Sequence, residues 1–414
     1  MGKVKITELN YLLGILFGIF VYLIIPHEYT RLDFIPIVFT CGVNVLYILI
    51  KRKKPNISII ICSIMVVYII LIDYLFGYSQ NYAIRAWLTL LMISLISYNG
   101  IKHLSSAKES IIWIIVLALL LFRTYTSPRM ADGSPIFPTI FVDRIETELC
   151  IVLFMFYAVK NKKISGVIFT LAYYFMLSSS RGTLLILVMF FAIRYSKGFM
   201  KRIYSKYLSF FKRKWLIVSL TVIAVTVYIV FCYYWVNSIA VTNVLQHGAG
   251  LNDTSNFSRF ASTVYVFEEI IGKYNLLFFG FGSDLKTVMG LDGAVKKLYM
   301  GYTLVQSHNS IINLMLRLGY IPGIMYLSVI IGLIKKNAKF ENAEYIFSYI
   351  VYSFIIVMIA KQGLDAFWIY IMMIPEISKK SFGGKIRLKK QSRMYVNNAV
   401  SEKPKCYESV ECEK

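Results

Sequence analysis

The chain has 414 residues, of which 57% are hydrophobic and 16% charged, and its mean hydropathy is +0.63. These values lie outside the range of ordinary soluble domains and predict an all-α polytopic membrane protein whose main solvent is the lipid bilayer. The formal net charge of +23 does not call for a nucleic-acid partner, because lysine and arginine collect in the cytoplasmic loops of membrane proteins. Six cysteines without a CxxC pair and four histidines without ligand spacing give no basis for a disulfide framework or a metal cofactor.

Apolar runs recur along the chain, and we interpret each one as a transmembrane helix. Several of them approach the lower length limit of a span, which is about 17 residues. We therefore predict about twelve transmembrane helices in one membrane domain, residues 1–378. In chain order, the runs cover residues 9–25, 33–50, 57–77, 83–98, 110–122, 145–159, 164–180, 182–195, 215–237, 309–334, 345–360 and 366–376.

The positive charges of the connections fix the orientation of the predicted spans. Every second connection is rich in lysine and arginine, whereas the connections that alternate with them carry few positive charges. The basic connections are 51–54, 102–108, 160–163, 194–214 and 335–339. Because basic loops stay in the cytoplasm, both termini are predicted to be cytoplasmic. The tail, residues 379–414, begins basic and ends acidic, and we predict that it is a cytoplasmic segment.

Two predicted external connections are long, residues 123–144 and residues 238–307. The second lies between predicted helices nine and ten, and it is the larger. Its stretch from Asn256 to Phe279 predicts a short amphipathic helix near the outer membrane surface, and the alternative is a solvated linker. The residues at helical spacing are Phe257, Phe260, Ala261, Val264, Phe267 and Ile271.

Several arginines fall on the predicted outer side, where topology does not require them. The planar guanidinium holds phosphate oxygens with two parallel hydrogen bonds, which favours an anionic ligand such as a lipid phosphate. The alternative is that each arginine reaches lipid headgroups or pairs with an aspartate. Arg181 lies in the motif SSSRG (178–182), where the Ser180 hydroxyl and Gly182 would let a phosphate approach the backbone closely. The set comprises Arg31, Arg85, Arg123, Arg129, Arg144, Arg181, Arg259 and Arg317.

His308 and Asn309 open the apolar run 309–334, directly after the large external loop. A histidine at the mouth of an external cavity can accept a proton from a hydroxyl near neutral pH. The alternative is an interfacial or capping histidine. If the run forms one continuous helix, Gly319 falls on the His308 face, whereas Arg317 points roughly opposite.

Four motifs, which occur in a fixed order around the large loop, resemble the O-antigen ligase and Wzy-type polysaccharide polymerase superfamily. The resemblance is best between residues 164 and 332, and the first six predicted helices share only hydropathy and length with the family. The four motifs are SSSRGTLL (178–185), NFSRF (256–260), FFGFGSD (278–284) and HNSIINLMLRLGYIPG (308–323).

The resemblance implies a metal-independent glycosyltransferase that uses a glycan on undecaprenyl pyrophosphate at the outer face of the bacterial cytoplasmic membrane. By position, Arg181 matches the arginine of the RxxxL motif and Arg259 the arginine of the large loop, and both would bind the pyrophosphate. His308 matches the catalytic histidine of the HN motif. The resemblance implies no cofactor, and flippase and chain-length regulator proteins would be partners. Supporting positions are Asn309, Ser180, Gly182 and Arg317.

Three functions are compatible with the sequence. A polymerase joins lipid-linked repeat units, a ligase transfers the finished glycan to a lipid A core or a protein, and a flippase moves the lipid-linked glycan without chemistry. Pro322 stands where the ligase motif has Gly, Thr or Tyr, which favours the polymerase. The large outer loop and the outer arginines argue against the flippase, whose charges would line a midplane path.

The predicted topology can be tested with single cysteines in a background without the native ones. Gly248→Cys and Ser134→Cys are expected to react with an impermeant thiol reagent in intact cells, whereas Lys53→Cys and Lys336→Cys react only after lysis. Labelling of Lys336→Cys from outside would contradict the predicted orientation.

Overall fold

The computed structural model describes residues 5–15, 34–76, 81–101, 106–126, 154–159, 161–173, 274–282 and 310–337, and shorter pieces between 184 and 282. The following statements concern these residues. Predicted spans 345–360 and 366–376, the connection 123–144 and the tail 379–414 lie outside them.

The described residues form α-helices and contain no strand, as the all-α prediction requires. The predicted runs 33–50, 57–77 and 83–98 agree with three observed helices to within a few residues. Further helical residues occur at 154–159, in Leu187–Ser196 and at 226–234. The eight main helices are α1 (Ile6–Ile15), α2 (Phe34–Ile50), α3 (Ile57–Phe76), α4 (Asn81–Asn99), α5 (Ser106–Thr126), α6 (Ile164–Tyr173), α7 (Ser310–Leu318) and α8 (Tyr320–Asn337).

Helix α4 is the centre of the described core, because it packs against α1, α2, α3, α7 and α8. Its side chains are buried on nearly all sides, and Trp87, Leu90 and Leu95 are fully buried. The Trp87 ring packs edge-on against Tyr326 of α8, with 5.2 Å between the ring centroids. A helix that is buried all round fixes the relative positions of its neighbours.

Three buried asparagines join α1, α2 and the end of α4. The Asn44 side-chain amide donates to Asn10 Oδ1 at 2.8 Å and to the Thr40 carbonyl at 2.9 Å. Asn99 donates to Asn44 Oδ1 at 2.8 Å, and Asn10 donates to the Gly100 carbonyl at 3.1 Å. Asparagine is favoured at such a site because a buried amide that finds partners on other helices links them with defined geometry.

The connection between α2 and α3 lies at the C-terminal end of α4. The chain leaves α2 through Arg52, which has a φ of 45°, and the Lys53 amide donates to the Ile48 carbonyl at 3.0 Å. This is a Schellman-type helix end, which satisfies a carbonyl of the last turn. The Tyr98 hydroxyl then donates to the Lys54 carbonyl at 2.6 Å, which ties this basic connection to α4.

Among the described helices, α3 is the one that is both long and apolar enough to cross a membrane. One such helix does not establish a count of about twelve spans. The shorter apolar helices are Ile37–Ile50, Ile164–Tyr173, Leu187–Ser196 and Tyr320–Leu333.

Two predicted helix boundaries were wrong. The run 309–334 is not one helix, because α7 ends at Leu318 and α8 begins at Tyr320, on either side of Gly319. The predicted helix from Asn256 to Phe279 ends earlier, since residues 274–280 are not helical. In the first case the cause is Gly319, whose positive φ interrupts the helix.

Asn44→Ala removes the centre of the asparagine network and is expected to lower the thermal midpoint of the detergent-solubilised protein. It leaves Asn10 Oδ1 without its donor and Asn99 without one acceptor, which is expected to cost about 1–2 kcal/mol. The midpoint is measured by fluorescence-detected size-exclusion chromatography after heating. Val45→Ala, at the neighbouring exposed position, is the matched control. Equal midpoints for both variants would contradict the role of the network.

Candidate functional site

The structure describes one of the seven predicted site residues, Arg317. The six others lie outside the described residues: Arg181, Arg259, His308, Asn309, Ser180 and Gly182. Two of the four motifs are described in part, through residues 278–282 of the third and residues 310–323 of the fourth. We call residues 274–282 the docked segment, because this segment packs against the junction of α7 and α8.

Gly319 separates α7 from α8. Its φ is +94°, a region that residues with a side chain rarely adopt. The Gly319 amide donates to the Met315 carbonyl at 2.9 Å, which closes the last turn of α7. A Cβ at this position would lie 2.8 Å from the backbone carbonyl carbon of Phe279. Glycine is therefore required both by the turn and by the close approach of the docked segment.

The docked segment caps the start of α8. The first amides of a helix have no acceptor within the helix. Here the Tyr320 amide donates to the Leu276 carbonyl at 2.8 Å, and the Ile321 amide donates to the Leu277 carbonyl at 3.0 Å. Backbone carbonyls of the docked segment thus take the place that a capping side chain often fills.

The docked segment also provides a hydrogen-bond donor for a carbonyl near the C-terminal end of α7. The Phe281 amide donates to the Leu316 carbonyl at 2.9 Å, and carbonyls near a helix C-terminus have no intrahelical donor. Gly280 lies directly against this turn, since a Cβ there would collide with the Leu316 oxygen and lie 2.5 Å from the Arg317 carbonyl carbon. The motif FFGFG therefore fits against the end of α7, because Gly280 allows the two backbones to be in direct contact.

Arg317 is buried at the C-terminal end of α7, with 9% of its surface exposed. Its Nη1 donates to the Gly282 carbonyl at 3.0 Å, and its guanidinium carbon lies 4.3 Å from the centroid of the Tyr82 ring. Its Nε has no hydrogen-bond partner among the described residues. The cation is thus held by a carbonyl dipole and an aromatic face, both of which favour a positive charge.

The docked segment is also attached to α3. The Tyr68 hydroxyl donates to the Phe278 carbonyl at 3.1 Å, and the Phe76 and Phe279 rings stack with 5.7 Å between their centroids. Since Tyr82 lies in the first turn of α4, the α7–α8 junction lies at the N-terminal end of α4. The basic connection 51–54 lies at the other end of this helix.

The sequence contained two signals of the helix break that the hydropathy pattern concealed. Gly319 lies inside an apolar helical pattern, and Pro322 follows three residues later. A proline fits the first turn of a helix, where its missing amide hydrogen is not needed. Together the two residues indicate a helix that stops at Gly319 and restarts at Tyr320.

Among the described residues, no three histidine, cysteine, aspartate or glutamate side chains are gathered in a way that would hold a metal ion. The comparisons with protein-family models, with curated proteins and with solved structures found no match to this chain. The motifs and their geometry therefore carry the functional interpretation.

Gly280→Ala and Gly319→Ala are each expected to destabilise the α7–α8 junction. The first forces two backbones apart, and the second adds a strained φ, which typically costs about 1–3 kcal/mol. Both variants are expected to have lower thermal midpoints in detergent. Gly332→Ala in α8 is the matched control, because nothing lies within 4 Å of its added Cβ. Unchanged midpoints for Gly280→Ala and Gly319→Ala would contradict the close approach.

Proposed function

We propose that this chain is a polytopic enzyme of the bacterial cytoplasmic membrane, with about twelve spans and both termini in the cytoplasm. It polymerises polysaccharide by transferring a glycan from undecaprenyl pyrophosphate to the non-reducing end of another lipid-linked repeat unit. The main support is that residues of two separate motifs, FFGFG and LRLGYIPG, pack on each other. The Phe281 amide donates to the Leu316 carbonyl, and the Arg317 side chain donates to the Gly282 carbonyl. Motifs about thirty residues apart in the chain thus form one local unit at one end of α4.

The outward face of α3 supports a lipid environment. Five large apolar residues follow one another at intervals of three or four residues, and each is between 41% and 68% exposed. A continuous apolar stripe of this length is unfavourable in water and favourable in a bilayer. The five residues are Ile60, Ile64, Val67, Leu71 and Leu75.

The two ends of α4 support the proposed orientation. The basic connection 51–54 contacts its C-terminal end, which the positive-inside rule assigns to the cytoplasm. The α7–α8 junction contacts its N-terminal end, which is then the outer end. His308 is two residues before α7 in the sequence, and we propose that it faces the same side, where lipid-linked glycans are extended.

The proposed reaction is a single displacement at the anomeric carbon of the donor glycan. The acceptor hydroxyl oxygen forms the new glycosidic bond, the bond from the anomeric carbon to the pyrophosphate oxygen breaks, and undecaprenyl pyrophosphate leaves with both electrons of that bond. His308 accepts the proton of the hydroxyl, and such base assistance typically contributes about 10²–10⁴-fold to rate. Arg181 and Arg259 stabilise the negative charge that develops on the leaving group. The single displacement inverts the anomeric configuration.

Three further residues have secondary roles in this proposal. Ser180 and Gly182 flank Arg181 and let the pyrophosphate approach the backbone, and Asn309 directly follows His308 at the start of the α7 region. The reaction requires no metal and no nucleotide sugar.

His308→Ala distinguishes the polymerase from the ligase by the lipid-linked species that the cell accumulates. If the chain polymerises, synthesis and flipping continue while extension stops, so undecaprenyl pyrophosphate carrying a single repeat unit is expected. Arg181→Ala and Arg259→Ala are expected to give the same species, because each loses a charge-assisted contact worth roughly 1.5–3 kcal/mol. Mass spectrometry of the extracted carrier lipids identifies the glycan length.

The control is the amount of each variant in the membrane, which must match the parent protein. If the variants instead accumulate long glycan on the carrier lipid, the proposed function changes from polymerase to ligase. Unchanged surface polymer in a strain with stable His308→Ala protein would exclude a catalytic role for this histidine.

A further inference from the structure

We propose that Arg317 is a positioning residue that holds the stretch bearing Arg259 and the helix preceded by His308 in one fixed arrangement. This inference rests on the proposed function, because it assigns Arg317 a task within the same reaction. It differs from the expectation that outer arginines bind an anionic ligand.

The contacts of Arg317 are with the protein itself. One side-chain nitrogen donates to the Gly282 carbonyl, and one face of the guanidinium covers the Tyr82 ring. With 9% of the residue exposed, the guanidinium is largely enclosed by these groups and their neighbours. An arginine whose charge is engaged in this way fixes backbone in place.

Gly282 is the last residue of the docked segment, and we call its hydrogen bond with Arg317 the clamp. The docked segment, residues 274–282, contains no charged side chain, so Arg317 provides the charged contact between this segment and α7. Arg317 binds the backbone carbonyl oxygen of Gly282, so this contact does not require a side chain at position 282. Gly282 has a φ of 55°, in the left-handed region that favours glycine.

The clamp joins the two stretches that carry the proposed catalytic residues. Upstream, Arg259 lies five residues before Val264, which is buried, and the chain reaches the docked segment at Tyr274, whose amide donates to the Ile270 carbonyl at 3.2 Å. Downstream, residues 283–309 connect Gly282 to Ser310, the first residue of α7, and His308 is two residues before Ser310 in the sequence. Both ends of this loop are therefore fixed to a helix of nine residues, which is about 13 Å long.

A covalent reporter measures docking independently of activity. Leu277 and Ile321 are 43% and 39% exposed, and a backbone hydrogen bond of 3.0 Å joins them. Leu277→Cys and Ile321→Cys, introduced together into a background without native cysteines, are expected to form a disulfide with copper phenanthroline. The rate of this cross-link reports whether the docked segment occupies its position.

Arg317→Met removes the donor and the charge while it keeps most of the length of the side chain. It is expected to slow the cross-link several-fold and to lower product several-fold at equal protein amount. Arg317→Lys retains a donor and a cation and is expected to restore both measurements in part. Tyr82→Phe keeps the aromatic face and is expected to retain more of both measurements than Tyr82→Leu, which is expected to behave like Arg317→Met.

Kinetics on membranes supplied with the lipid-linked repeat unit from a strain lacking this chain provide a second measurement. A positioning role is expected to lower kcat more than it raises KM, because the placement of Arg259 and His308 matters most for the charge and the proton transfer that develop in the transition state. Loss of product with an unchanged cross-link rate, or a raised KM with an unchanged kcat, would overturn the proposal and assign Arg317 to substrate. Normal product from Arg317→Met would also overturn it.

These outcomes are distinguishable from failure of the proposed function. If His308→Ala leaves the polymer unchanged, the glycosyl transfer proposal fails, and with it the part of this inference that concerns the reaction. The cross-link rates of the Arg317 and Tyr82 variants then still decide whether Arg317 holds the docked segment.

Discussion

The hydrogen bonds between the docked segment and the α7–α8 junction are the interactions on which the described structure depends at the N-terminal end of α4. A helix that stops and restarts inside a protein exposes carbonyls at one end and amides at the other, and leaving them buried without partners is costly. Here Leu276 and Leu277 supply the acceptors and Phe281 supplies a donor. The break is therefore stable because a second segment matches both sets of groups at once.

This arrangement explains why glycines occur on both sides of the contact. Gly280 and Gly319 each lie where an added Cβ would collide with backbone of the other segment. The docked segment and the α7–α8 junction could not come this close if either position carried a side chain. An aromatic residue beside Gly280 packs against a neighbouring helix, as the stacking of Phe279 on Phe76 of α3 illustrates. A glycine-and-aromatic motif of this kind combines close backbone contact with apolar burial, which suits a docked segment at the edge of a helical core.

The opposite end of α4 is built on a different principle. There the asparagines of α1, α2 and α4 bond to one another, and a basic connection packs over the helix ends. Side-chain amides tolerate no large displacement without losing their partners, so this end holds the helices in fixed register. The N-terminal end of α4 relies on backbone hydrogen bonds of the docked segment and on the contact of the Arg317 side chain with the Gly282 carbonyl. In our proposal, α4 connects a structural inner end with a functional outer end.

The amino-acid sequence by itself determined the helical class and the extent of α2, α3 and α4, because long apolar runs have few alternatives to helix. It also contained the signals of the break, Gly319 and Pro322, although hydropathy alone joined the two helices into one. The partners of the broken ends were decided by tertiary structure, since backbone amides and carbonyls carry no sequence signature. For the same reason, the contact of Arg317 with Gly282 and Tyr82 followed only from the packing of segments far apart in the chain.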